Sequence, residues 1–175
     1  MSRKVAVLVL NPVNGFGLFQ YLETFFENKV QYETFAVADS VEVKTNSGIC
    51  LRTDSTVANL KQRENEFDAL VFACGDAIPK MNENIGKSYY QDMFSVIKNF
   101  ADKGKILAGH CASAVVFDGA GVGAGRKMAV HPYGKAGVKN AVPTDRECEI
   151  DGNIYTAQTE HSIRLVLPEL LKALK

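Results

Sequence analysis

The sequence predicts an α/β fold, a three-layer sandwich in which helices cover both faces of a mostly parallel sheet. Three observations lead there. Short apolar runs at residues 5–10, 69–73 and 105–109 are bounded by turn residues, and their near-continuous hydrophobicity suits strands buried on both faces. Amphipathic helical periods lie between those runs. Strands alternating with helices imply βαβ units with right-handed crossovers. The 175 residues fit a single domain, 1–175, and no repeat, low-complexity tract or linker divides them.

The elements follow in chain order. The first run meets Asn11-Pro12 after six apolar residues, too few for a signal-peptide core, so it reads as a buried strand. Leu18, Tyr21, Leu22, Phe25 and Phe26 then fall on one helical stripe. Residues 30–35 alternate and predict a weaker strand lying further out. Residues 41–44 and 49–52 flank Thr45-Asn46-Ser47-Gly48 as a hairpin. The run Lys61-Gln62-Arg63-Glu64-Asn65-Glu66 mixes both charge signs and reads as a solvated helix face. Tyr90, Met93, Phe94, Ile97 and Phe100 repeat the helical period, with Gly104 as its stop. Asp151-Gly152 is a two-residue turn between strands 148–150 and 153–156. Ile163, Val166, Leu167, Leu170, Leu171 and Leu174 line a closing helix, whose first turn Pro168 distorts or delays.

Composition limits the function classes. Apolar residues at 46% and charged residues at 23% exclude disorder and fibrous repeats. Twenty basic against twenty acidic residues leave no basic excess for nucleic acid or an acidic membrane surface. No apolar run approaches the roughly 18 residues of a membrane span. Cys50, Cys74, Cys111 and Cys148 are widely spaced, so the expectation is reduced thiols in a cytoplasmic protein rather than a disulfide framework. Cys111 with His110 and His131 lacks zinc-site spacing, and no metal is expected. The glycines at 119, 121, 123 and 125 follow a helix rather than a strand, so they predict a turn and not a dinucleotide site. No phosphate loop is present, and no cofactor is expected.

In an open parallel sheet ligands sit at the carboxyl ends of the strands, which gathers residues 11–17, 74–76 and 110–111 on one edge. There Gly109-His110-Cys111-Ala112-Ser113-Ala114 reads strand, tight turn, helix, with small residues on either side of the thiol, a cysteine nucleophile elbow. A sulfur at a helix start favours the thiolate. With the usual pKa near 8.5 about 3% ionises at pH 7, whereas a pKa of about 6 gives roughly 90%. The other reading of Cys111 is a small buried hydrophobe. His131, His110 and the lower-ranked His161 are the histidines within reach of a base role. Asp76 reads as a solvated loop acid or a contributor to the pocket.

Around this turn the chain resembles the ThiJ/PfpI family of class I glutamine-amidotransferase-like proteins, often named intracellular protease I. Cys111 matches that family's reactive cysteine, and the stretch from Asp118 to Gly125-Arg126, then Val130-His131-Pro132, is similar to its Gly-Arg and His-Pro segments. Asp151-Gly152-Asn153 resembles its late hairpin, and the strand ending Ala73-Cys74-Gly75 its paired glycine, with Cys74 in place of the first glycine. The resemblance spans nearly the whole chain and implies a flavodoxin-like sandwich that forms a homodimer or higher homo-oligomer. It also implies a thiolate that attacks a small-molecule carbonyl or a peptide, with the Gly75 and Ala112 amides as oxyanion donors. The chain departs from the family at two places. The family's loop glutamate is missing, because Asn14-Gly15-Phe16-Gly17-Leu18 has Gly17 there, and Glu23 lies too far along the helix to replace it. Histidine precedes the cysteine as His110 instead of following it, which turns its ring to the other side of the strand. A cysteine-dependent hydrolase is therefore the leading expectation, and a thiol redox sensor or chaperone-like stress protein the alternative.

Overall fold

The computed structural model describes residues 3–175, and the expected architecture is present. Strand β1 (Lys4–Val9) sends Ala6 and Leu8 into one apolar layer and Val5, Val7 and Val9 into the other, as a strand covered on both faces must. Asn14 caps α1 (Gly15–Glu27), its Oδ1 accepting from the Gly17 N–H at 2.8 Å. The chain continues through β2 (Gln31–Ala36), β3 (Glu42–Lys44), β4 (Cys50–Arg52), β5 (Ser55–Thr56) and α2 (Val57–Arg63). Next come β6 (Ala69–Ala73), α3 (Ile78–Met81), α4 (Ser88–Asp102), β7 (Ile106–His110) and α5 (Ser113–Gly119). The final elements are β8 (Lys127–Ala129), β9 (Val142–Thr144), β10 (Cys148–Asp151), β11 (Ile154–Ala157) and α6 (Ile163–Leu174).

One sheet runs in the order β10-β11-β7-β6-β1-β2-β5, antiparallel between β10 and β11 and parallel elsewhere. Helices α1 and α6 bury Tyr21, Phe25, Val166 and Leu170 against one face. On the other face α2, α4 and α5 bury Leu60, Met93, Ile97 and Phe117. In β6 and β7 the register sets Ala69 opposite Ile106 and Phe72 opposite Gly109, so both strands end at the same edge. The carboxylate of Asp118, in α5, accepts from the N–H groups of Lys139, Asn140 and Ala141 at 2.7–2.9 Å and ties that helix to a distant loop. Those three bonds hold its pKa down against the penalty of burial.

Four local expectations need correction. Phe26 is 74% exposed, because eight residues past Leu18 lies about 80° off the buried stripe. Glu64, read as solvated, is buried; its carboxylate accepts from Asn99 Nδ2 at 2.9 Å and lies 3.5 Å from Lys103 Nζ. The late hairpin turns on Gly152-Asn153, since Asp151 still pairs with Ile154, and Gly152 at φ 61 takes the first turn position. Strand β7 extends to His110, one residue beyond the apolar run. Ahead of α6 the distorted turn is real: Glu160–Ser162 forms a 3-10 turn. The pair β8·β9 was not foreseen, because three-residue strands leave no periodic signal.

Candidate active site

The elbow sits where β7 gives way to α5. Cys111 takes φ 59, the left-handed region that a side chain enters at a cost of about 1–3 kcal/mol. Two backbone hydrogen bonds hold it there: its N–H donates to Ala157 O at 3.1 Å, and its carbonyl accepts from the His131 N–H at 3.0 Å. Gly109 is needed for the close strand–helix approach, since a Cβ at that position would lie 2.5 Å from Ser113 Cβ. The reversal turns Cys111, only partly buried, toward a cavity of about 510 Å³ lined also by Cys74, Gly75, Asp76, His131 and Glu160.

The sulfur's surroundings favour its ionised form. The neighbouring Cys74 thiol lowers the Cys111 pKa most, and the Ala112 N–H lowers it further. Burial and the carboxylates of Glu160 and Asp76 act the other way, and the balance remains below the usual thiol value. Cys74 moves oppositely: the adjoining Cys111 sulfur and complete burial push its thiol well up, against the Ala112 and Gly75 N–H groups. Neither the Gly75 nor the Ala112 N–H goes to a backbone carbonyl among the described residues. Beneath them the floor is backbone on backbone, because a Cβ on Gly75 would fall 2.1 Å from Pro12 O and 2.6 Å from Val13 Cα.

The three histidines separate. His131 lies at the cavity, and its Nδ1 accepts from the Tyr133 N–H at 3.3 Å. That bond leaves the neutral ring's proton on Nε2, which makes it a donor. His110, a candidate base by sequence, lies on the opposite side of the sheet edge and contributes nothing to the cavity lining. Its ring is wholly buried 5.8 Å from the Tyr21 ring, and neither nitrogen has a hydrogen-bond partner. Burial pushes its pKa down to about 4. His161 is also outside the cavity, its side chain 77% exposed and its ring 5.5 Å from that of Phe16.

Gly17, expected at the pocket, is absent from its lining, because His110 fills the room above it. A Cβ at position 17 would lie 2.5 Å from His110 Nε2. The site where the resemblance called for an acid is therefore occupied by an imidazole from the neighbouring strand. Asp76 does reach the cavity, its N–H donating to Asn46 Oδ1 at 3.2 Å. Sequence reasoning missed Glu160, one residue before His161 in the 3-10 turn that Thr159 caps through the His161 N–H at 3.2 Å. It also missed that Cys74 and Cys111 share the cavity and act on each other's ionisation. No Lys or Arg lines the cavity. Among the described residues no group of three or more metal-ligating side chains gathers, and no helix is long and apolar enough to cross a membrane.

The model of the DJ-1/PfpI family matches residues 3–173 of this chain. Protein ppBat of Bacteroides thetaiotaomicron is 54% identical over 175 residues, covering 100% of both chains. A crystal structure from the same species, described as "putative protease I", superposes with a TM-score of 0.98 at 53% identity, covering 99% of this chain and 100% of that one. A DJ-1 superfamily protein from Salmonella typhimurium shares the fold, with a TM-score of 0.85 at 22% identity over 98% of this chain and 90% of that one.

Proposed function

The chain belongs to the DJ-1/PfpI family, and on that premise we propose that it is a cysteine-dependent hydrolase of peptide, acyl or small reactive carbonyl substrates. The observation that carries this reading is the Cys111 elbow, a left-handed cysteine beside a cavity with its pKa lowered. The thiolate forms a bond to the substrate's carbonyl carbon, and the carbonyl electron pair moves to oxygen. The Ala112 and Gly75 N–H groups receive that charge. His131 Nε2–H donates a hydrogen bond to the leaving group, which takes its proton from water, and the hydroxide so formed attacks the acyl carbon, breaking the C–S bond and restoring the thiolate. The protease I name of the Bacteroides structure supports an acyl substrate. Glu160, Asp76 and the thiolate, with no Lys or Arg among them, favour neutral or cationic substrates over anionic ones. In this reading the protein works as a homodimer or higher homo-oligomer.

Iodoacetamide labelling of Cys111 against pH, with turnover of methylglyoxal and of a peptide amide, tests the reading. The expected result is a labelling midpoint below the usual thiol value and turnover that Cys111→Ser abolishes. A midpoint near about 8.5 with turnover unchanged in the variant overturns it. Gly17 favours a second reading, a thiol redox sensor, because no side chain there can donate to the sulfur. Sensor behaviour would appear as peroxide uptake at Cys111 without turnover.

A further inference from the structure

Cys74 stands where the family resemblance places a glycine, and the hydrolytic mechanism does not use its thiol. The β6–β7 ladder ends at the pair Phe72–Gly109, so Cys74 and Cys111 each lie two residues past that pair, at the same edge of the sheet. Adjacent strands lie about 4.8 Å apart, inside the roughly 4.4–6.8 Å between Cα atoms that a disulfide spans. Cys74 and Cys111 pack into the same layer, with Leu70, Phe72 and Leu107, so both side chains leave the sheet on one side. Each sulfur is the strongest influence on the other's ionisation. Both line the cavity, with Cys111 open to it and Cys74 buried behind.

We infer that Cys74 is a resolving thiol, and that a hydroperoxide entering the cavity converts Cys74 and Cys111 into an intramolecular disulfide. The Cys111 thiolate attacks the peroxide's terminal oxygen; the S–O bond forms, the O–O bond breaks, and the departing oxygen takes a proton to leave as an alcohol, or as water from hydrogen peroxide. Sulfur 111 is then a sulfenic acid, oxidised by two electrons. The Cys74 sulfur attacks it and gives up its proton; the S–S bond forms, the S–O bond breaks, and the hydroxyl leaves with that proton as water. The Ala112 and Gly75 N–H groups stabilise the attacking Cys74 sulfur as its proton departs. A dithiol reductant reverses the bond by exchange. The disulfide withdraws the nucleophile reversibly and shields it from irreversible sulfinic acid.

The test is mass spectrometry after brief exposure to a several-fold molar excess of hydrogen peroxide and N-ethylmaleimide quenching, under non-reducing conditions. A cross-linked peptide joining Cys74 to Cys111, lost on dithiothreitol treatment, is the expected product. In Cys74→Ser and Cys74→Ala the crosslink disappears and Cys111 gains two oxygens irreversibly, with wild type accumulating roughly tenfold less of that species. Wild type that forms sulfinic acid at the variants' rate, that links Cys111 only to Cys50 or Cys148, or that leaves Cys111 unoxidised overturns the inference. The crosslink is read in wild-type protein, so it stands if a variant fails to fold. It is independent of turnover, so a failed hydrolase assay leaves it unaffected.

Discussion

His110 and Cys111 are neighbours in the chain and occupy opposite environments. The His110 ring continues the inside–outside alternation of β7 and enters the layer beneath α1, next to Tyr21, where its nitrogens meet no protein partner among the described residues. One residue later the backbone reverses at φ 59, the alternation ends, and the Cys111 sulfur meets a cavity. Residue type alone would rank the histidine as the more versatile group. Backbone direction decides otherwise, and it does so at the cost of strain in one residue and an unpaired imidazole in the other.

The largest effect that would break this contrast is on turnover. Under the proposed function, Cys111→Ser lowers kcat/KM by about a thousandfold or more, while His110→Leu stays within about threefold. Equal losses in steady-state assays would show that the buried ring takes part after all.

A second effect reads His110 through stability. Its folded pKa of about 4 lies below the unfolded value, so the unfolded chain binds more protons in between. Stability is complete above about pH 6.5 and falls as pH drops toward 4. Urea unfolding of wild type should lose about 2 kcal/mol between pH 7 and pH 5 relative to His110→Leu. Parallel pH profiles for the two proteins would mean that the ring is solvated.

The third is steric. Gly17→Ala puts a methyl on the His110 ring and costs about 1–3 kcal/mol, and Gly17→Ala with His110→Ala recovers part of it. Additive losses in that double-mutant cycle would separate the two positions. The smallest effect sharpens the Cys111 side: Glu160→Gln removes a charge that opposes the thiolate, so the labelling midpoint moves to lower pH. A midpoint moving upward would assign Glu160 a different role.

Much of this was readable from sequence because it repeats along the chain. The runs at 69–73 and 105–109 announce buried strands, and the stretch from Gly109 to Ala114 announces the elbow through small residues where bulk would clash. What stayed hidden depends on long-range packing. Glu64 looks solvated until Asn99, 35 residues away, is known to reach it. Glu160 and His161 differ by one position, yet the 3-10 turn sends the first to the cavity and the second to solvent. Gly17 resembled a missing acid, and only the fold shows that His110 occupies its space.

The contact of Gly75 with Pro12 and Val13 has a consequence for how such a pocket diversifies. Main chain pressed on main chain gives selection no side chain to trim or enlarge, so the stretch of floor at Gly75 is inherited unchanged. Novelty in what the protein accepts must enter from the entrance, through Ile78, Asn82 and Tyr133. Sibling sequences should therefore vary at these three positions before they vary at Gly75.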